Sequence, residues 1–178
     1  TGKFLNNLLS VSARYSTINS DGYIDRAFSK LNSYNINALF EKGNTKLRFL
    51  TFGGKEKTYQ AWNGIDKATY ESNPKFNYSG AIYDANWENI IGFYDNETDN
   101  YRQNHFHLLW EQKLGKIWNL ETTFHLTHGE GYYENYKQDA KFSKYDLPNI
   151  VENGNTITRT DFIRKKWLDN DFYGVVSN

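Results

Sequence analysis

The sequence predicts an all-β fold, in which antiparallel, tilted strands form one sheet, and three observations support this prediction. Apolar and polar residues alternate along several segments, which is the period of a strand with one apolar and one wet face. Short glycine-containing turns join two pairs of these segments. Longer polar and aromatic connections alternate with the short turns, and no apolar run approaches the roughly 20 residues of a membrane helix.

Leu9 to Tyr15 is the first predicted strand, and Ser33 to Glu41 is the second. The first hairpin is predicted between the second strand and a third one, which the two-residue turn Gly43-Asn44 joins. In the register of that turn, apolar residues face each other and opposite charges meet. The predicted partners are Phe40 with Leu47, Ala38 with Phe49, and Glu41 with Lys46.

A second hairpin is predicted around Gly115-Lys116. Phe106, Leu108, Trp110 and Leu114 alternate before the turn, and Leu120, Thr122, Phe124 and Leu126 alternate after it. A three-residue loop pairs Leu114 with Trp118 and Leu108 with Phe124. The same register places Glu111 opposite Glu121, and two like charges are tolerated there only in water or beside a cation such as Lys113. The face that carries them is therefore predicted to be wet.

The connections favour a membrane barrel over a soluble sandwich. Long connections are predicted near residues 19–30, 55–103 and 129–165, whereas compact domains seldom contain unstructured loops beyond about 15 residues. Outer-membrane barrels alternate short turns with long external loops, and each of their strands has one apolar and one polar face. About five complete strands and the beginning of a sixth, Trp167 to Val176, are expected. We therefore predict that the chain is a segment of a larger transmembrane barrel.

Composition narrows the possible partners. The chain has 21 basic and 21 acidic residues, and 17% of its 178 residues are aromatic. Abundant aromatic residues with balanced charge indicate a folded chain. The balanced charge also argues against nucleic acid as a partner, because phosphate binding needs a concentrated basic face. Cysteine is absent, which excludes disulfides and thiolate metal sites.

Five polar and aromatic stretches occur along the chain: SDGYIDRA (20–27), FGGKEKTYQAWNG (52–64), YDNETDNYRQNH (94–105), HGEGYYENYKQD (128–139) and IRKKWLDNDFYG (163–174). In their order and spacing, these stretches together resemble TonB-dependent outer-membrane receptors of Bacteroidetes-type bacteria. The resemblance implies the middle of a barrel of about 22 strands, located in the outer membrane of a Gram-negative bacterium. It also implies import of a scarce ligand, such as a ferric siderophore, another iron complex or cobalamin. The plug domain and the contact with TonB are expected in other regions of such a receptor.

Two sets of candidate site residues follow. Aromatic residues of the longest loop can stack on a planar ligand at the barrel mouth, or can pack together as a small core of the loop. The candidates for ligand contact are Tyr59, Trp62, Trp87 and Tyr94. The alternation of the strands predicts five residues that face the lumen: Arg14, Arg48, His107, Glu121 and His125.

No motif indicates catalysis, so we expect neither an enzyme nor a cofactor. The histidines at 105, 107, 125 and 128 and the acidic residues at 95, 97 and 99 are interpreted as wall and loop residues rather than metal ligands. Two alternative functions remain open. The chain can be a secreted carbohydrate-binding β domain that is complete in itself, or part of a glycan-importing receptor.

Overall fold

The computed structural model describes residues 1–178, and strands dominate it. In chain order the elements are β1 (Gly2–Phe4), β2 (Leu9–Ser20), β3 (Ser29–Lys42), β4 (Thr45–Tyr59), α1 (Lys67–Ser72), β5 (Ala81–Tyr83), β6 (Ile90–Phe93), β7 (Thr98–Leu114), β8 (Trp118–Lys141), a 3₁₀ turn (Phe142–Tyr145), β9 (Ile150–Glu152), β10 (Asn155–Ile157) and β11 (Arg159–Ser177). One antiparallel sheet has the order β1-β2-β3-β4-β7-β8-β11. The all-β prediction is confirmed. The sheet is open, with β1 and β11 at its edges.

Both predicted hairpin registers are confirmed. Phe40 pairs with Leu47 across the Gly43-Asn44 turn, and Ala38 pairs with Phe49. Leu114 pairs with Trp118 across the second turn, and His107 pairs with His125. The hydrophobic pattern set these registers, because a shift of one residue would move every apolar side chain to the other face.

The long strands extend beyond the predicted limits, and the connections are correspondingly shorter. The connections predicted near 19–30, 55–103 and 129–165 span residues 21–28, 60–97 and 142–158 in the structure. The last strand begins at Arg159 rather than near Trp167. Backbone pairing continues through charged and aromatic residues after the apolar alternation has ended. The alternation therefore marks only the apolar part of each strand.

One face of the sheet carries a continuous set of apolar side chains, which we call the apolar band. Strand pairing aligns its central row across six strands, as Val11, Ala38, Phe49, Leu108, Phe124 and Val175. The flanking rows add Ala13, Ile36, Phe106, Leu126 and Tyr173 on one side, with Thr51 between Ile36 and Phe106, and Leu9, Phe40, Leu47 and Trp110 on the other, where Thr122 follows Trp110. Phe49, Leu108 and Phe124 are 41%, 40% and 43% exposed, which shows that no protein layer covers the band.

The opposite face of the sheet is polar along the same part of the strands. Pairing aligns Ser12, Asn37, Leu50, His107, His125 and Gly174 across it. Glu111 faces Glu121 as predicted, but the neighbouring cation is Lys46 on β4 rather than Lys113. The Lys46 Nζ lies 3.8 Å from the Glu111 carboxylate and 3.6 Å from that of Glu41. Lys46 is well placed because β4 pairs with β7, a pairing that the hairpin registers do not predict.

Buried residues are few, and most of them are polar. Only 12 of 178 residues are buried, and Tyr59 and Phe142 are the buried hydrophobic ones. The polar ones concentrate where the segment 60–97 joins β4, β7 and β8. The sheet is therefore a single layer, with a hydrogen-bonded core at its loop end only. No helix of the structure has the length and apolar character needed to cross a membrane.

Candidate functional site

Five buried polar residues fix the longest connection to the sheet, and we call them the loop clamp: Gln60, Asn77, Glu97, Glu134 and Asn135. The Asn135 amide donates to the Glu97 carboxylate at 2.9 Å and to the Gln60 side chain at 2.8 Å. The Tyr136 backbone N–H donates to the other Glu97 oxygen at 2.7 Å. The Gln60 amide donates to the Glu134 carbonyl at 2.9 Å. Buried polar groups are stable only when they are paired in this way.

Two of the four loop aromatics predicted to contact ligand belong to this buried region. Tyr59 is 4% exposed, and its hydroxyl donates to the carbonyls of Ser79 and Tyr94 at 3.0 and 2.8 Å. The Tyr94 hydroxyl donates to the Glu134 carboxylate. Both rings therefore support the loop, and Tyr59 presents no open ring face to a ligand. The alternative interpretation, a small core within the loop, describes these two residues.

The region around the clamp is expected to be most stable between mildly acidic and mildly alkaline pH. Burial and the bond to Glu134 raise the pKa of Tyr94 to about 12, and burial and the bond to Asp161 raise that of Tyr136 to about 12. Burial alone would raise the pKa of Glu134. Hydrogen bonds from Tyr94, Asn96 and Lys165 outweigh it and hold this pKa below 4.5.

The sign of each contribution follows from linkage. A raised tyrosine pKa stabilises the fold fully below pH 10.0, and this contribution is lost as the pH rises toward about 12. The lowered glutamate pKa stabilises the fold above pH 4.5, and its contribution is lost as the pH falls. We expect amide-exchange protection of residues 60–97 to decrease on both sides of this window. Ionisation of all 14 tyrosines in one step near pH 10 would contradict the prediction.

A depression beside the clamp is lined by rings, by cations and by the Asp139 carboxylate. Its volume is about 480 Å³, and its lining includes Tyr83, Trp87, Tyr136, Lys137, Lys141, Lys144, Tyr145 and Arg159. Trp87 is 52% exposed and stacks on Tyr83 with 5.7 Å between ring centroids. Arg159 pairs with Asp139 at 2.9 Å, and none of the three lysines forms an ion pair. This surface suits an anionic ligand with planar parts.

Sequence reasoning identified Trp87 but missed the cations around it. Lys137, Lys141 and Lys144 stand within one short stretch among tyrosines, and this clustering is the signal that could have found them. Burial and the neighbouring Arg164 lower the pKa of Lys137. Trp62, the remaining candidate, is 60% exposed and makes an edge contact with Tyr133 at 5.6 Å. Trp62 does not line this depression.

A second depression of about 330 Å³ opens on the polar face of the sheet, and Phe52, Glu56, Tyr101, Gln103 and His105 contribute to its lining. Phe52 stacks on His105 with ring centroids 4.5 Å apart and an interplanar angle of 14°. His107 and His125 follow nearby, with 6.4 Å between their centroids. A line of flat rings therefore crosses this face.

The five residues predicted to face the lumen share the polar face. The register aligns Arg14 with the row of Phe52 and His105, and Arg48 with the row of Leu109. Glu121, His107 and His125 occupy the same face of β7 and β8. The histidines form no cluster with the acidic residues that could hold a metal ion.

Glycine at position 131 keeps part of this face flat. A Cβ at Gly131 would collide with the Asn100 carbonyl oxygen and lie 2.8 Å from the Tyr101 Cα. Both atoms belong to the backbone, so β7 would have to move. We expect Gly131→Ala to destabilise the protein by about 1 to 3 kcal/mol, measured by chemical denaturation. Gly92→Ala is the control, because no atom lies within 4 Å of its Cβ position. Equal effects of the two substitutions would contradict the prediction.

Comparison with protein-family models, with curated proteins and with solved structures gave no match. Function is therefore inferred from the apolar band and the two depressions.

Proposed function

We propose that the chain forms part of the wall of a TonB-dependent outer-membrane receptor that imports a scarce ligand. The apolar band faces lipid, and the polar face lines the passage for the ligand. The observation that carries this proposal is an apolar band that crosses six paired strands without a covering protein layer, opposite a polar face. Monomeric soluble proteins rarely expose such a large contiguous apolar surface.

The extent of the band is compatible with a bilayer. Tyr15 and Tyr34 pair above it, and Trp118 lies at the turn below it. The corresponding positions on β7 are Asn104 and Leu114, so about 34 Å of strand separates the two aromatic rims. Strands tilted by about 40° reduce this to about 26 Å along the membrane normal, close to the height of an outer-membrane apolar band.

The ligand is proposed to be an anionic metal chelate, of the ferric siderophore type. Trp87 and the tyrosines offer ring faces, while Lys137, Lys141 and Lys144 line the same depression and form no ion pair. These unpaired cations favour an anionic chelate over a neutral sugar. Cobalamin is the second candidate, because its flat macrocycle suits the rings. Energy coupling through TonB belongs to regions of the receptor outside these residues.

The competing proposal, a secreted carbohydrate-binding domain, accounts less well for the burial pattern. A soluble β domain buries the apolar face of its sheet against another layer. Here that face is open, and the core consists mainly of polar clamp residues. Exposed rings that stack on sugars are the observation that still favours a glycan as the ligand.

Flotation with vesicles tests the proposal. The chain, refolded from urea with phosphatidylcholine vesicles, is expected to float with them. Leu108→Asp introduces a charge into the apolar band and should abolish flotation. Leu109→Asp is the matched control, because the adjacent leucine lies on the polar face. A chain that is monodisperse in buffer and does not float would reject the proposal and favour the secreted domain.

A further inference from the structure

Four cations lie just above the apolar band on the same face of the sheet, and we call them the basic shelf: Lys30, Lys55, Lys57 and Arg102. Strand pairing sets Lys30 directly opposite Lys57 and Lys55 directly opposite Arg102. Like charges in directly opposite positions destabilise a sheet. Two such pairs side by side therefore indicate a surface that an external anion would stabilise.

The protein itself supplies little compensation for these charges. Arg102 pairs with Glu130 on β8, and the Lys57 ammonium donates to the neutral Asn96 side chain at 2.9 Å. Lys30 lies over the Phe28 ring, 5.5 Å from its centroid, and Lys55 forms no ion pair. Carboxylates appear on this face only at β8 and β11, so the half formed by β2, β3, β4 and β7 is uniformly basic.

Lys55 and Arg102 stand between two shallow depressions of about 280 Å³ each. The lower one is also lined by Tyr15, Asn32, Tyr34 and Asn104. Lysine, arginine and side-chain amide groups are all donors that a phosphate group can use. The Tyr34 hydroxyl already donates to the Asn104 side-chain oxygen at 3.0 Å, which leaves the Asn104 amide N–H group free to donate.

The position of the shelf indicates the source of the anion. It begins two residues above the Tyr15–Tyr34 rim, where the apolar band ends and the headgroup region of a bilayer would begin. Aromatic residues at such a rim are typical of the membrane interface. We propose that the basic shelf binds the phosphate of an anionic lipid headgroup in the surrounding leaflet. This inference rests on the proposed function, since it requires the band to lie in lipid.

Flotation on two kinds of vesicle separates the inference from its premise. The chain is expected to partition more strongly into vesicles that contain phosphatidylglycerol than into pure phosphatidylcholine, and added salt should remove the difference. Lys55→Gln/Arg102→Gln should lower partition into the anionic vesicles roughly tenfold and leave partition into neutral vesicles unchanged. Lys3→Gln/Lys113→Gln is the matched control, because it removes two exposed cations from the other face.

Each outcome has one interpretation. Equal partition into both kinds of vesicle, or equal losses of partition for the two double variants, would show that the basic shelf does not bind anionic lipid. The proposed function would still stand. Failure to float on neutral vesicles would overturn the proposed function itself. The single variant Lys55→Gln keeps the test valid if the double variant misfolds, since Lys55 is exposed and has no protein partner. If Lys55→Gln partitions into anionic vesicles as strongly as the unmodified chain, the proposal that the basic shelf binds a lipid phosphate is also wrong.

Discussion

Ala38→Arg is expected to destabilise the full-length form of the proposed receptor by about 2 to 4 kcal/mol, because the substitution places a charge near the centre of the apolar band. Ala38 lies in the central row between Val11 and Phe49. If the band lies in lipid, as proposed, an arginine there cannot reach water without distorting the bilayer. Urea unfolding of the full-length protein in phosphatidylcholine vesicles measures the effect.

The neighbouring residue provides the control for this substitution. Asn37 lies on the polar face, where Ser12 and Leu50 are its partners. Asn37→Arg keeps its charge in water and should cost much less than Ala38→Arg. Equal costs at the two positions would reject the assignment of the apolar band to lipid.

Glu97→Ala is expected to release the connection between β4 and β7. The substitution leaves one N–H of the Asn135 amide and the backbone N–H of Tyr136 without their acceptor inside a buried cluster. Each unpaired buried donor costs about 1 to 3 kcal/mol. Cleavage of residues 60–97 by a protease should therefore accelerate by more than tenfold, while β2 and β3 remain protected. Limited proteolysis followed by mass spectrometry measures this difference.

A nearby acidic residue distinguishes the clamp from a general effect of charge. Asp95 is exposed, and Asp95→Ala removes the same charge without opening the cluster. Its cleavage rate should match that of the unmodified chain. Equal acceleration in both variants would show that Glu97 does not hold the loop through its hydrogen bonds.

The apolar part of the sheet could be predicted from the sequence because two kinds of information agree there. The turns at Gly43-Asn44 and Gly115-Lys116 limit the possible registers. Only one of these registers places the apolar residues, which recur at every second position, on the same face of both strands. Phe40 with Leu47 and Leu108 with Phe124 follow from this logic. Each pair depends only on residues close in sequence.

The loop end could not be predicted in the same way, because its contacts join distant residues without a periodic pattern. Gln60 and Asn135, for example, are bonded although they belong to different hairpins. Their amides look like ordinary loop residues in the sequence. The same limitation explains why Lys46 was missed as the partner of Glu111, and why Trp87 was identified without the cations around it.

The order of strands in the main sheet also indicates how the chain assembles. Every neighbour in the sheet is the next long strand along the chain, and the pairings of β3 with β4 and of β7 with β8 can grow outward from a tight turn. Contacts of this local kind form early, because little chain entropy is lost in closing them. The two tight hairpins should therefore fold first. The pairing of β4 with β7 must wait for the ends of a long segment to meet, which makes formation of the clamp a late event in folding.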